Sequence, residues 1–188
     1  DDGSTDSIEY TVNVTDLGPS ANFTWTPKPQ VEGTAIQFTD TSTSSPDDIV
    51  SWSWTFGDVG TSTDQNPSFT FGDDGSYPVT LTVTDDDGST DSIEYTVNVT
   101  DLVPTADFTW TPEPQAEGAA IQFTDTSTSS PDEIVSWSWD FGGAATSTEQ
   151  NPSFTFADNG SYPVTLTVTD DDGSTDSIEY TVNVTDLG

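Results

Sequence analysis

Asp-Asp-Asp-Gly stands at 85–88 and again at 170–173, and Ser-Pro-Asp-Asp at 45–48 is matched by Ser-Pro-Asp-Glu at 130–133. Carboxylates grouped in this way can do two kinds of chemistry. They can ligate a hard cation that takes six to eight oxygens, Ca2+ above all, or they can work as an acid and base pair, as in glycoside hydrolysis. The rest of the composition removes most other options. The 188 residues hold 34 Asp and Glu against a single cationic side chain, Lys28, with no His, Cys or Met and a formal charge of −33. Without Arg or His there is no phosphate fork, imidazole base or His-ligated zinc. Without Cys there is no thiolate, disulfide or thiolate-bound metal. Nucleic acid and anionic membrane surfaces are poor partners, because both are bound by basic groups.

Those carboxylates are positioned by a repeat. Residues 1–17 recur unchanged at 86–102 and 171–187, and 19–103 align with 104–188 without a gap, differing at 14 of 85 positions. The chain therefore reads as two full units, 19–103 and 104–188, preceded by residues 1–18, the last strand of a further unit. That leading segment is expected to be either part of a longer array or a strand donated to a neighbour. Asp1-Asp2-Gly3-Ser4 reads as the interior of a longer chain, so a targeting signal is expected elsewhere. No apolar run is long enough to span a bilayer.

Within a unit the dominant pattern is alternation with period two. Ile93, Tyr95, Val97 and Val99 share one face, as do Tyr77, Val79, Leu81 and Val83, and Val50, Trp52, Trp54 and Phe56. Shorter strands are predicted at 22–26, 35–40 and 68–71. Pro78 suits a strand edge or a strand start. Six or seven strands per 85 residues, separated by Gly, Pro, Ser and Asp clusters, predict an all-β fold of antiparallel β-sandwiches. The aromatic residues, 11% of the chain, supply cores that a charge of −33 would otherwise argue against. Trp52 and Trp54 are expected in the core; Trp25, near a strand end, is open to a second reading as a platform for sugar rings.

At this point the residues carry a resemblance. Pro19-Ser20-Ala21-Asn22-Phe23, Ile36-Gln37-Phe38-Thr39-Asp40-Thr41-Ser42, Ile49–Asp58, Asn66–Phe71 and Gly75–Asp85 occur in the order and spacing of PKD domains, and Trp139-Asp140-Phe141-Gly142 keeps the Trp-Asp-Phe-Gly run of that family intact. Each unit resembles a PKD domain. Thr55 and Gly143 depart from the pattern, which weakens a metal or turn role there. The resemblance implies tandem immunoglobulin-like (PKD-type) sandwiches that space, stiffen or attach parts of extracellular proteins and are not themselves catalytic.

In an immunoglobulin-like topology the approach to the domain, the loop after the second strand and the last hairpin share one end. Asp16, Asp40, Asp47, Asp48, Asp85 and Asp87, with Asp86 between them, are expected to converge in the first unit. Asp101, Asp125, Asp132, Glu133, Asp170 and Asp172, with Asp171, are expected to do so in the second. Such crowding calls for a cation or for water between the charges. Ca2+ is the expected cofactor, the resemblance implies a place for it near the domain entry, and bound there it would stiffen the junctions in the manner of cadherin repeats. The simpler alternative stays open: Asp-Asp-Asp-Gly is a hairpin turn. Asn-X-Ser/Thr acceptors stand at Asn13, Asn22, Asn98, Asn159 and Asn183. The acidic, Lys-poor surface resembles that of proteins from salt-loving archaea, in which screening relieves self-repulsion. The leading functional expectation is a structural segment of an extracellular filament, stalk or surface layer at the cell surface, with copies of itself or adjacent repeats as partners. A polysaccharide-binding or adhesin spacer is the alternative, and an enzyme is the least supported, since no cleft can be argued.

Overall fold

The computed structural model describes residues 2–186, and no α-helix occurs among them. Among the described residues no helix is long and apolar enough to cross a membrane. The first repeat contributes β1 (Phe23–Thr26), β2 (Gln30–Val31), β3 (Ala35–Asp40), β4 (Ile49–Phe56), β5 (Gly60–Ser62), β6 (Ser68–Thr70), β7 (Gly75–Asp85) and β8 (Thr90–Thr100). The second contributes β9 (Phe108–Thr111), β10 (Gln115–Ala116), β11 (Ala120–Asp125), β12 (Ile134–Phe141), β13 (Thr146–Ser147), β14 (Ser153–Thr155), β15 (Gly160–Asp170) and β16 (Thr175–Thr185). In each repeat a three-stranded sheet, β1-β3-β6 or β14-β11-β9, faces a five-stranded one, β2-β8-β7-β4-β5 or β10-β16-β15-β12-β13. This is the all-β sandwich that the alternation predicts, in the immunoglobulin-like form that the resemblance implies.

The second sandwich shows why the sequence folds this way. Its core joins Phe108, Ile121 and Phe123 of one sheet to Trp139, Phe141, Val164, Leu166, Val168, Val182 and Val184 of the other. Trp139 meets Phe108 edge to face at 5.0 Å and stacks near-parallel with Phe141 at 6.2 Å. Its indole N–H donates to the Glu149 carbonyl at 2.9 Å, so the largest buried side chain leaves no polar atom unpaired. The first sandwich repeats the arrangement with Phe23, Trp54 and Phe56.

Several expectations change. Two short strands in each repeat were not foreseen. One, β2, runs parallel to β8, with Gln30 opposite Val99, and β10 does the same against β16. Val50 is 55% exposed, not interior, because a β-bulge between Ile49 and Ser51 moves it to the other face; Val135 is turned out in the same way. Trp52 keeps the phase of Trp54 and Phe56 yet is only half-buried, and Trp25 is too, packed on Phe23 and Tyr95. Residues 2–18 carry the sequence of β8 and β16 yet form no strand, and Val14 there is 89% exposed. Pro78 is not at the start of β7 but its fourth residue, one residue before β7 joins β4 at Val79.

By packing, the chain divides into two compact units. One comprises residues up to Thr26, 37–68 and 78–96; the other comprises 27–36, 69–77 and the chain from Val97 onward. The turn that carries Glu32 therefore belongs to the same unit as the second sandwich.

Candidate metal centres at the acidic loop ends

Each long hairpin is closed by Asp-Asp-Asp-Gly. In β7–β8 the Gly88 N–H donates to the Asp85 carbonyl at 3.1 Å, and the Asp85 N–H donates to the Ser89 carbonyl at 3.0 Å. Gly88 and Gly173 hold φ of 90° and 92°, a backbone region that favours glycine. The turn reading is thus correct as local structure. It also sets the carboxylates: Asp85 and Asp170 are buried, each using Oδ1 to accept the N–H of Ser89 or Ser174 and leaving Oδ2 without a partner.

In the first unit Asp16, Asp47 and Asp85 each offer an oxygen such that all lie within 4.8 Å of one another, and Asp47, Asp86 and Asp87 form a second such group. Asp16 also accepts from the Ser89 hydroxyl. Asp47 is held above the usual carboxylate range by loss of water and then by the charges of Asp87, Asp16, Asp86 and Asp85. Asp48 meets the hairpin through its backbone, its carbonyl accepting from the Asp86 N–H at 3.0 Å, and does not join either group.

In the second unit the group is Glu32, Asp101, Asp132 and Asp172, with the same 4.8 Å limit. Glu32 has no exposed surface; its Oε1 accepts from the Leu102 N–H at 2.6 Å, and its carboxyl also shares side-chain hydrogen bonds with Asp101 and Asp132. Asp132 Oδ2 and Asp101 Oδ1 are buried beside it, and the other Asp101 oxygen accepts from the Ser174 hydroxyl. Burial pushes Glu32 up to about 7, the Leu102 hydrogen bond pulling it down and the Asp132 charge pushing it further up. Burial also raises Asp132 and Asp172, Asp172 further through the charges of Asp132, Asp74 and Asp73.

The remaining candidates are placed elsewhere. Asp40 and Asp125 are clamps, not members of these groups. Asp40 Oδ2 accepts from the Trp52 indole N–H at 2.8 Å and Asp125 Oδ2 from that of Trp137 at 2.7 Å. Glu133 touches Asp171 through its backbone N–H, and Asp170 lies outside the four-residue group. Among the glycosylation candidates, Asn98 and Asn183 accept from the Ser76 and Ser161 hydroxyls at 2.7 Å; Asn22 accepts from the Tyr95 hydroxyl, the Asn159 N–H donates to Glu117, and Asn13 is exposed. Glu32 is the residue that sequence reasoning missed. Its one signal is the Glu-Gly pair at 32–33, repeated at 117–118, in a turn with Gly33 at φ 65°.

Paired sandwiches with closed aromatic cores and acids gathered at loop ends define tandem immunoglobulin-like modules. The chain belongs to the PKD domain family, which it matches at residues 16–100 and again at 102–185. It is 42% identical over 88 residues to the pre-pro-metalloprotease PrtV of Vibrio cholerae, a match covering 47% of this chain and 9% of that protein. It is 48% identical over 67 residues to collagenase ColQ1 of Bacillus cereus, covering 35% of this chain and 7% of the collagenase. The solved PKD1 domain of the Vibrio cholerae metalloprotease aligns at 42% identity and a TM-score of 0.40, over 44% of this chain and 98% of that domain. The chain thus spans less than a tenth of the proteases it resembles.

Proposed function

We propose that this chain is a non-catalytic spacer segment of an extracellular protein, in which tandem PKD sandwiches hold other parts apart. One observation carries the reading: the matched stretches, 88 residues of a metalloprotease and 67 of a collagenase, are PKD-sized pieces of much longer proteins. The near-identity of the two repeats suits a longer filament, stalk or surface-layer array at the cell surface, with copies or adjacent repeats as partners. Calcium at the acidic ends, glycans on the exposed Asn residues and a high-salt habitat, archaeal or otherwise, belong to the same proposal. Support for the metal is the set of carboxylate oxygens that converge there.

The alternative, a polysaccharide-binding spacer, is favoured by one feature. An open groove of about 460 Å³ in the second sandwich is lined by Trp110, Tyr180, Phe108, Asp107, Thr109 and Glu113. A half-buried Trp beside a Tyr is a surface on which a sugar ring can stack. Sedimentation with insoluble chitin and cellulose separates the two readings. A spacer stays in the supernatant; retention on either polymer, lost in Trp110→Ala, would overturn it in favour of the binding module.

A further inference from the structure

The two repeats share an aromatic corner but not the charge around it. In the second sandwich Tyr180 of β16 packs on Phe108 of β9 at 5.0 Å and on Trp110 at 5.9 Å. These rings line the open groove of about 460 Å³, together with Asp107, Thr109 and Glu113. In the first sandwich Tyr95 meets Phe23 at 4.9 Å and Trp25 at 5.9 Å. The tyrosine is tied in the same way in both. Tyr180 donates its hydroxyl to Asp107 Oδ1 at 2.9 Å, and Tyr95 donates to Asn22 Oδ1 at 2.9 Å. Of the 14 positions at which the repeats differ, two fall here: Asp107 and Glu113 stand where the first repeat has Asn22 and Lys28. Two acids in one repeat thus replace an amide and the single cationic side chain of the molecule in the other.

We propose that the groove of the second sandwich binds a quaternary ammonium group, cradled by the rings of Trp110 and Tyr180 with Asp107 and Glu113 as counter-charges. An aromatic face attracts a cation through its quadrupole, and quaternary ammonium ligands are the kind held in this way. A methylated ammonium suits such a face better than a bare lysine ammonium, which holds its water tightly. The carboxylates add charge complementarity. Asp107 Oδ1 accepts from Tyr180 and from the Phe108 N–H at 2.9 Å, which fixes the side chain, and Oδ2 takes part in neither bond. Glu113 is exposed in the turn after β9. The groove volume lies within the range of about 300–1,000 Å³ usual for small-molecule sites. The field of 34 acids concentrates cations of every kind at the surface, and the rings select among them. The inference goes beyond the spacer reading and does not depend on it.

The test titrates the full chain with choline chloride, KCl being withdrawn to hold ionic strength constant. The six tryptophan indole N–H signals are followed by NMR, with Trp110 assigned through Trp110→Phe. The control ligand is the uncharged isostere of choline, in which carbon replaces nitrogen. Choline is expected to shift the Trp110 signal saturably and to leave that of Trp25 in place, and the isostere to bind at least about tenfold more weakly. Asp107→Asn combined with Glu113→Lys gives this corner the residues that the first repeat already carries, so the sandwich is kept. Affinity for choline is expected to fall at least about tenfold there. No saturable shift at Trp110, an equal response at Trp25, or undiminished affinity in the exchanged variant would each overturn the inference. Equal binding of the isostere would overturn it too, leaving the groove as a neutral stacking platform. None of these outcomes touches the spacer reading, which is decided by sedimentation with insoluble polysaccharide.

Discussion

Asp40 shows that a carboxylate at an acidic loop end need not be a ligand. Its Oδ1 accepts from the Ser42 N–H at 2.9 Å, and its Oδ2 from Trp52 Nε1 and, at 3.2 Å, from the Gln65 amide. Burial raises its pKa, but the bonds from Ser42, Trp52 and Gln65 outweigh this and hold it below 3.8. Its contribution to stability is therefore present above about 3.8 and is lost as pH falls through the lower folded value. Asp40→Ala is expected to cost about 1–3 kcal/mol, the penalty for stripping partners from a buried donor, and to flatten the acid limb of a melting-temperature profile. Glu32 has the opposite sign. Its carboxyl is lifted from 4.5 to about 7, so its folded form binds the extra proton. The stability this gives is complete below about 4.5 and disappears as pH rises through about 7. In metal-free buffer the protein is expected to melt lower at pH 8 than at pH 5.5, and Glu32→Gln to reduce that difference. An unchanged difference would show that Asp47, Asp132 and Asp172, which shift in the same direction, account for it.

At the scale of the element, the long strands were legible and the short ones were not. Alternation located β3, β4, β7 and β8 because each keeps period two over at least six residues and buries one face. Gln30–Val31 is too short to show a period, and its parallel partner lies about 70 residues away, so no local pattern reveals it. The bulge at Ile49/Ser51 escaped for a related reason: an inserted residue changes phase without changing composition. The acidic groups were legible as clusters, since the turn residues that shape the hairpins are themselves the Asp residues. Glu32 was not, because its burial depends on Pro131, about 100 residues later in the chain. The bulge gives a paired prediction for denaturant unfolding. Trp54→Ala, within the core, is expected to cost about 3–5 kcal/mol. Val50→Thr, turned outward beside it, is expected to stay within about 0.5 kcal/mol. A large cost at Val50 would restore the unbroken phase and remove the bulge.

For the whole molecule, the charge has to be read per repeat. The 34 acids divide as 5 in residues 1–18, 14 in 19–103 and 15 in 104–188, so −33 is not an acidic tail but a property of every sandwich. Like charges at this density oppose compactness, and two kinds of cation can relieve them. Monovalent salt screens all of them alike, shortening the Debye length from about 30 Å at 0.01 M to about 3 Å at 1 M. A bound divalent ion acts only where oxygens converge. The two effects separate in one thermal experiment. With chelator present, the melting temperature is expected to climb by several degrees between 0.01 M and 1 M KCl, and equally in the parent chain and in Glu32→Gln. With millimolar CaCl2 added at constant ionic strength, a further saturating increment is expected only where carboxylate oxygens converge. Equal melting temperatures across the KCl series would mean that self-repulsion does not limit this fold. The acidic surface would then need a different reason, and solvation of the unfolded chain would be the first to test.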